Sequence, residues 1–284
     1  MAKSTSDEVA EAGPTRSRRH EAGAEGARGL LFTVLGELVL PTGGQAWTSS
    51  FIDVLARLGI EEKACRQALM RTGADGWLAA ERHGRRTRWK LTDHAERLLT
   101  EGAERIYGFT ASAPQWDGKL VMVLVRVPES ERSARHLLRT RLAWAGLGSP
   151  MPGVWIGTHT DRVGQVEDVL KQVGVFDDAR TFVSEYQSGA SLDGLIQQAW
   201  DLPQLEDAYD EFLDAFADPD PQGDPLARLI DLVHTWRRFP WQDPMLPRDL
   251  LPAVWHGERA AELFATRRTQ WHATALAQWS SLED

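Results

Sequence analysis

Basic side chains gather at two places in the N-terminal third of the sequence. In the stretch GRRTRWKLT, residues 84–92, they are Arg85, Arg86, Arg88 and Lys90. In the preceding stretch EEKACRQALMRTG, residues 61–73, the basic and amide side chains are Lys63, Arg66, Gln67 and Arg71. Guanidinium groups can bind phosphate oxygens and guanine edges, and a glutamine amide can pair with adenine. These residue types indicate contact with a polyanion, and the alternative is a charged face that only keeps the protein soluble.

The balance of charge along the chain favours the polyanion. The 284 residues include 41 Asp+Glu and 32 Lys+Arg, for a formal charge of −9. Residues 28–108 nevertheless hold 12 basic and 10 acidic side chains, whereas residues 201–284 hold 7 and 16. An acidic C-terminal third does not attract nucleic acid, so any such contact is predicted for the N-terminal segment.

The spacing of apolar residues predicts that the earlier basic set lies on a helix and the later one on a hairpin. Helical patterns cover residues 30–40, residues 48–58 and the stretch from Glu61, and two short strands joined at Gly84 follow. In the third helix the inward positions, spaced i, i+3, i+4 and i+7, are Cys65, Ala68, Leu69 and Thr72. Thr92 can cap a fourth helix.

Three helices followed by a hairpin is the order of a winged helix-turn-helix, in which the third helix enters the major groove of DNA. The outward positions of that helix are Lys63, Arg66, Gln67, Met70 and Arg71. In the returning strand Arg86, Arg88 and Lys90 alternate with Thr87, Trp89 and Leu91, so the basic residues share one face. We predict a DNA-binding surface formed by the outward helix positions and by Arg85, Arg86 and Arg88 of the hairpin.

The chain divides into four segments by pattern, and the fold class is predicted to be α+β. Residues 1–27 lack the apolar region of a signal peptide and are predicted to be a disordered tail. Residues 28–108 form the winged-helix segment with its linker helix. Residues 109–190 alternate strands and helices as β-α-β-α-β, which predicts a ferredoxin-like domain. Residues 191–284 show helical patterns broken by prolines, which predicts a helical C-terminal domain, and this domain is the candidate location for effector binding and dimerisation.

Composition argues against a membrane or disulfide-stabilised protein. The longest mostly apolar stretch, residues 30–40, contains Glu37 and is far shorter than the roughly 20 residues that span a bilayer. Cys65 has no second cysteine to pair with, and its inward helix position predicts core packing. We therefore expect a cytoplasmic protein without a membrane partner.

The ordered motifs resemble the PaaX family of bacterial transcriptional repressors. The similar stretches are LLFTVLGELVLPTGG, GIEEKACRQALMRTGADGWL, GRRTRWKLT, WDGKLVMVLV, LRTRLAWAGLGSPMPGVWIG and TWRRFPWQDPMLPRDLLPAVW, spread over residues 28 to about 265. The match is firmest at Arg66, Arg71, residues 76–78 and residues 84–86. Cys65, Met70 and Thr72 depart from the family pattern, and outward-facing Met70 puts the operator sequence in doubt.

The resemblance implies a winged-helix domain, a central domain like the CRISPR-associated Cas2 fold, and a helical C-terminal domain. It also implies a homodimer that leaves its double-stranded operator when an aryl-CoA thioester, such as phenylacetyl-CoA, binds. A two-fold dimer would require an inverted-repeat operator. No cofactor is expected apart from this inducer.

The sequence lacks the common motifs of enzyme chemistry, which predicts a protein that is not an enzyme. It has no G-x-S-x-G, H-E-x-x-H, P-loop or G-x-G-x-x-G motif, and its histidines lack metal-ligand spacing, so no metal site is expected. A Cas2-like metal-dependent nuclease would need a carboxylate at the end of the first central strand, but that strand ends at residues 126–128 and Asp117 lies at its start. An enzyme acting on acyl-CoA would need a nucleophile–base pair, which is not recognisable.

An aryl-CoA site requires aromatic walls beside arginines, because the ligand combines an apolar ring, an adenine and phosphates. The densest such mixture predicts these effector-binding residues: Trp236, Arg237, Arg238, Trp241 and Trp255. Alternatively, these tryptophans pack a helical core while the two arginines pair with Asp231 and Asp243. A helix with Arg132, Arg135 and Arg139 is a rival phosphate contact.

Overall fold

The computed structural model describes residues 26–110, 115–189, 191–219 and 223–283, so residues 1–25 of the predicted tail lie outside the described residues. The chain folds into two compact units that do not follow its linear order. The first unit combines residues up to Glu101 with Gly223–His234 and residues from Trp271 onward. The second unit combines residues 102–222 with Thr235–Gln270.

The first unit contains the two basic sets. Its N-terminal helices are α1 (residues 26–34, continued by a π-helical turn at Leu35–Val39 and a 3-10 turn at Leu40–Thr42), α2 (Thr48–Arg57), α3 (Glu62–Ala74) and the start of α4 (Asp93–Gly108). Its strands are β1 (Gln45–Trp47), β2 (Leu78–His83) and β3 (Arg86–Leu91), which form an antiparallel sheet in the order β1-β3-β2. The predicted hairpin is β2–β3. Strand β1 was not predicted, because three residues are too few for an alternation to be visible.

The end of the chain completes the core of this first unit. The last part of α11 (Gly257–Glu283) places fully buried Trp279 edge-on against Phe51, with ring centroids 6.0 Å apart. The indole N–H of Trp279 donates to Thr42 Oγ1 at 3.2 Å. Ser50 Oγ donates to the carbonyl of Leu282 at 2.9 Å, just inside the start of α2. Helices α2 and α11 are therefore held together by apolar packing and by hydrogen bonds.

The second unit contains a four-stranded antiparallel sheet with helices on one face. Its strands are β4 (Lys119–Leu124), β5 (Gly148–Met151), β6 (Val154–Gly157) and β7 (Arg180–Glu185), in the spatial order β5-β6-β4-β7. Helices α5 (Arg132–Trp144) and α6 (Val163–Val173) pack Leu138, Leu142, Val166 and Leu170 against Val121 and Val123 of β4. The order β-α-β-β-α-β is ferredoxin-like. It contains the three predicted strands and adds β5, whose four residues include a glycine and a proline.

The remaining helices lie in the C-terminal part of the chain and are divided between the two units. They are α7 (Leu192–Ala199), α8 (Leu202–Phe216), α9 (Pro225–Trp236), α10 (Phe239–Gln242) and α11. Ser191 and Asp201 cap α7 and α8 by accepting backbone N–H groups at 3.1 Å. Among the described residues, none of the helices combines the length and apolar character needed to cross a bilayer.

We expect Trp279→Ala to lower the free energy of unfolding by about 3–5 kcal/mol, because a large, fully buried aromatic side chain is removed and a cavity is left. Urea unfolding followed by far-UV circular dichroism measures this loss. Trp144→Ala is the matched control, since Trp144 is 51% exposed and should cost less than about 1 kcal/mol. Equal losses for the two variants would contradict a core role for the end of α11.

Candidate nucleic-acid interface

Helix α3 divides into a buried side and an exposed polar side, as its sequence predicts. Its buried residues are Cys65, Ala68, Leu69 and Thr72, which are the four predicted inward positions. Burial raises the pKa of the Cys65 thiol to about 12, so this side chain stays protonated and unreactive at neutral pH. The opposite side exposes Lys63, Arg66, Met70 and Arg71, with Gln67 half-buried. Met70 is 65% exposed, so the outward side of α3 also offers one apolar side chain.

Both ends of α3 are fixed by local chemistry. Glu62 lies in the first turn, where a carboxylate stabilises the positive end of the helix. At the other end Gly76 adopts a left-handed conformation with φ 78°, and the N–H of Trp77 returns to the carbonyl of Thr72 at 3.1 Å. Arg28 of α1 pairs with Asp75 at 2.5 Å. The exposed side of α3 is thus presented on a rigid element.

Arg66 is already paired inside α3. Its Nε is 2.8 Å from Glu62 Oε1, and both side chains are more than half exposed. An exposed pair of this kind contributes only about 0–1 kcal/mol. A phosphate or a base edge can therefore replace Glu62 as the partner of Arg66 at small cost.

The β2–β3 hairpin places Arg86 and Arg88 on the sheet face that carries Trp47. The strand register pairs Glu81 with Arg88 and His83 with Arg86, and Gly84 makes the turn with φ 61°. The guanidinium carbons of Arg86 and Arg88 lie 4.0 and 5.1 Å from the centre of the Trp47 ring. Arg86 remains exposed and Arg88 is half-buried. Stacking on Trp47 therefore orients both arginines along the sheet face.

The other face of the hairpin meets α3 and carries an arginine that the sequence prediction missed. A groove of about 500 Å³ runs between α3 and the hairpin, and its polar and exposed lining includes Arg66, Met70, Arg82 and Thr87. Strand alternation could have identified Arg82, because Leu78 and Ala80 of the same strand face α3. The geometry favours Arg82 over half-buried Arg88 as a neighbour of the exposed side of α3.

The five residues predicted to bind an effector do not line one open surface. Trp236 has no exposed area, stacks on Phe264 with centroids 4.7 Å apart, and donates its indole N–H to the carbonyl of Ile106 at 3.2 Å. Trp255 is also buried, against Tyr209. Two of the predicted wall residues are therefore core residues, which agrees with the alternative that the sequence left open.

The other three predicted effector residues are more accessible. Trp241 is 39% exposed, with the guanidinium carbon of Arg105 3.9 Å from its ring centre and Trp144 at 5.3 Å. Arg238 is exposed, while partial burial lowers the pKa of Arg237 below its ordinary value. Asp243, the suggested partner of these arginines, instead accepts hydrogen bonds from the hydroxyl of Tyr209 and the backbone of Met245, both at 2.6 Å.

Asp117, the carboxylate considered for nuclease chemistry, is held by hydrogen bonds at the start of the central sheet. Asp117 lies before β4 and accepts hydrogen bonds from the backbone N–H of Lys119 at 2.9 Å and from the hydroxyl of Thr160 at 3.1 Å. The Lys119 amide holds the pKa of Asp117 below its ordinary value. These contacts make Asp117 a turn residue that fixes the entrance to the sheet.

The amino-acid sequence of this chain matches known protein families along most of its length. Three family models match in sequence: PaaX-like protein over residues 26–95, PaaX protein central Cas2-like domain over residues 113–196, and PaaX-like protein C-terminal domain over residues 200–281. The chain belongs to the PaaX family. The transcriptional repressor PaaX of Escherichia coli K12 is 30% identical over 254 residues, which cover 82% of this chain and 77% of the relative. This confirms the resemblance predicted from the motifs.

The PaaX-type fold is also found among solved structures. An uncharacterized protein from Mycobacterium tuberculosis aligns with a TM-score of 0.61 at 22% identity, covering 91% of this chain and 99% of that one. The central Cas2-like match corresponds to strands β4–β7 and the helices that cover them. The mixed helix and sheet class predicted from the sequence is confirmed.

We expect Arg82→Ala to weaken binding to a generic DNA duplex more than Arg88→Ala does, because only Arg82 lies on the hairpin face next to α3. Removing one side chain that binds a phosphate should reduce the slope of log K against log[salt] by about 0.9 in magnitude. Fluorescence anisotropy titrations at several salt concentrations measure both affinity and slope. A larger slope change for Arg88→Ala would show that the Trp47 face, and not the groove face, meets the phosphates.

Proposed function

We propose that this chain is a DNA-binding transcriptional repressor in which α2, α3 and the β2–β3 hairpin form a winged helix-turn-helix. The observation that carries the proposal is the outward side of α3, which presents Arg66, Gln67 and Arg71, with Arg66 lining the groove toward the basic hairpin. Support comes from the family, since the Escherichia coli relative bears the name transcriptional repressor.

The two basic elements would have different tasks. Arg66, Gln67 and Arg71 offer the donors and acceptors that discriminate bases in the major groove. Lys63 and the exposed hairpin arginines Arg82, Arg85 and Arg86 would bind phosphates, which set position and affinity but carry no sequence information. Exposed Met70 would lie among them and offer apolar contact to a thymine methyl group.

The active species would be a homodimer on an inverted-repeat operator. A single module of this size covers too little DNA to compete with the non-specific sites of a genome, whereas two half-sites roughly multiply the discrimination. Two-fold symmetry then requires half-site centres that are separated by whole turns of about 10 base pairs.

We further propose that an aryl-CoA thioester such as phenylacetyl-CoA releases the repressor. The aromatic ring requires an accessible apolar wall, which fully buried Trp236 does not offer. A groove of about 530 Å³ in the second unit is lined by half-buried Tyr107 and by Arg268, and the buried ring of Phe264 lies behind Tyr107. Tyr107 and Phe264 are stacked with centroids 6.3 Å apart, and the guanidinium carbon of Arg268 lies 4.0 Å from the Tyr107 ring centre.

The lining of this groove suggests how the thioester would be oriented. The volume falls within the range of about 300–1,000 Å³ that is typical of small-molecule sites. Glu258 and Glu262 also line it and would repel the CoA phosphates, so the aryl end would enter the groove. The phosphates would extend toward solvent.

We expect base readout and phosphate binding to separate in single variants. Arg66→Ala should weaken binding to a duplex from upstream of this protein's own gene by about 1–3 kcal/mol, while affecting a random duplex much less. Arg85→Ala should weaken binding to both duplexes alike and flatten the salt dependence. Anisotropy titrations with both duplexes measure this difference. Equal losses for Arg66→Ala on the two duplexes would contradict base readout by α3.

We expect phenylacetyl-CoA to lower operator affinity of the unmodified protein about 100-fold, which requires about 2.7 kcal/mol of differential binding to the released state. Arg268→Ala should keep DNA binding but resist release, because Arg268 stacks on the wall of the groove. Arg238→Ala is the control at the site predicted from sequence, and free phenylacetate is the control for the CoA group. The groove would be the wrong site if Arg268→Ala left the DNA at the same thioester concentration as the unmodified protein while Arg238→Ala resisted release. That result would place the effector site at residues 236–241 instead.

A further inference from the structure

Three side chains from distant parts of the sequence converge in the second unit. Glu206 and Asp210 lie one turn apart on α8, and His256 immediately precedes α11. His256 Nδ1 is 3.2 Å from Glu206 Oε1 and hydrogen-bonded to Asp210 Oδ1. One potential ligand atom from each residue lies within 4.8 Å of the other two. Histidine spacing in the sequence indicated no metal ligands, because the partners of His256 are 46 and 50 residues away.

The backbone holds this cluster in place. The N–H of His256 donates to the two carboxylate oxygens of Glu206 at 3.2 and 3.3 Å. The carbonyl of His256 accepts the N–H of Ala260 at 2.9 Å, which starts α11. The neighbouring Trp255 packs edge-on against Tyr209 of α8, with centroids 5.6 Å apart. The imidazole is thus oriented by main-chain bonds and core packing.

Asp210 does not cap α11, so capping of this helix does not explain why Asp210 lies in the cluster. Glu206 accepts the backbone N–H of His256, whereas Asp210 bonds to the imidazole ring. Two carboxylates on the same face of a helix repel each other unless a cation lies between them. Among the described residues, neither lysine nor arginine forms an ion pair with Glu206 or Asp210. Within the described residues, His256 is therefore the side chain that forms an ion-pair contact with both carboxylates.

The donor set suits a divalent transition-metal ion. Two carboxylate oxygens and one neutral imidazole nitrogen are the mixed ligands that Zn²⁺ accepts with an open coordination position, whereas Mg²⁺ prefers oxygen alone. The side chains of Glu206, Asp210 and His256 are 20%, 50% and 29% exposed, so an ion and its remaining water ligands can reach the cluster. Coordination through Nδ1 would replace its hydrogen bond to Asp210.

We propose that Glu206, Asp210 and His256 form a binding site for a divalent transition-metal ion of the Zn²⁺ class, which joins α8 to the start of α11. The site lies in the second unit, whereas the surface proposed to bind DNA lies in the first, and the proposal does not rest on the proposed function. Its role would be structural, because three protein ligands from two helical elements would be linked at one point.

Metal titration of the full-length protein, first treated with a chelator and then dialysed, tests this proposal. Isothermal titration should give one equivalent of Zn²⁺ for the unmodified protein. His256→Ala and Asp210→Asn should each bind at least tenfold more weakly, since each removes one ligand. His136→Ala is the matched control, because His136 is an exposed histidine of the same unit and should leave binding unchanged. Asp210→Asn preserves shape at a half-exposed position, so it is expected to fold even if His256→Ala does not.

Two further readouts separate a built site from adventitious binding. Co²⁺ should give visible absorption bands of a low-coordinate N/O site in the unmodified protein and not in Asp210→Asn. Zn²⁺ should also raise the thermal midpoint of the unmodified protein, and a large excess of Mg²⁺ should not displace it. The proposal is overturned if less than half an equivalent binds, or if Asp210→Asn binds Zn²⁺ as tightly as His136→Ala does.

Discussion

The packing of Trp89 beneath α3 is the constraint on which the candidate interface depends. Trp89 is buried on the inner face of the hairpin, and its indole N–H donates to Thr48 Oγ1 of α2 at 3.0 Å. A Cβ at Gly73 would lie 3.0 Å from the Trp89 ring, which is a tight contact, so a larger residue at this position would require the Trp89 ring or α3 to shift by a few tenths of an ångström. One side chain thereby links α2, α3 and β3. The spacing between the basic helix face and the basic hairpin follows from this contact.

Basic residues and tryptophans have different roles in different parts of the chain. Basic residues are placed on exposed faces of the first unit, where small, inward residues such as Cys65 and Ala68 let α3 lie flat on its core. The tryptophans at the C-terminal end mainly fill cores: Trp236 in the second unit and Trp279 in the first are completely buried. An abundance of tryptophan and arginine in one sequence segment thus reflects core packing at least as much as ligand recognition.

The two compact units are discontinuous in sequence, and this affects how family segments should be interpreted. The three PaaX family models follow the chain in linear order. Residues from Trp271 onward nevertheless belong with the N-terminal unit, where the N–H of Trp47 donates to Glu283 Oε1 at 3.2 Å. A truncation at the linear domain boundary would remove Trp279 from the core of the first unit. The N-terminal segment that carries α3 and the β2–β3 hairpin therefore depends on a helix that begins in the second unit.

The sequence by itself determined the features that depend on neighbours within a few residues. Helical spacing identified the buried face of α3, and strand alternation identified the hairpin and the shared face of Arg86 and Arg88, because side-chain direction repeats with a fixed local period. The motif order was also specific enough to identify the PaaX family. These features need no knowledge of distant contacts.

Tertiary structure decided what depends on residues far apart in the chain. It placed Trp279 in the first core, opposed Arg82 to Arg66 across a groove, and brought His256 to Glu206 and Asp210. No local period records such meetings, because they are fixed by the packing of whole helices and strands against each other. Short stretches of the sequence are therefore enough to identify the family and the basic helix. A site whose residues are about 50 positions apart can be recognised only from the packing of α8 against the start of α11.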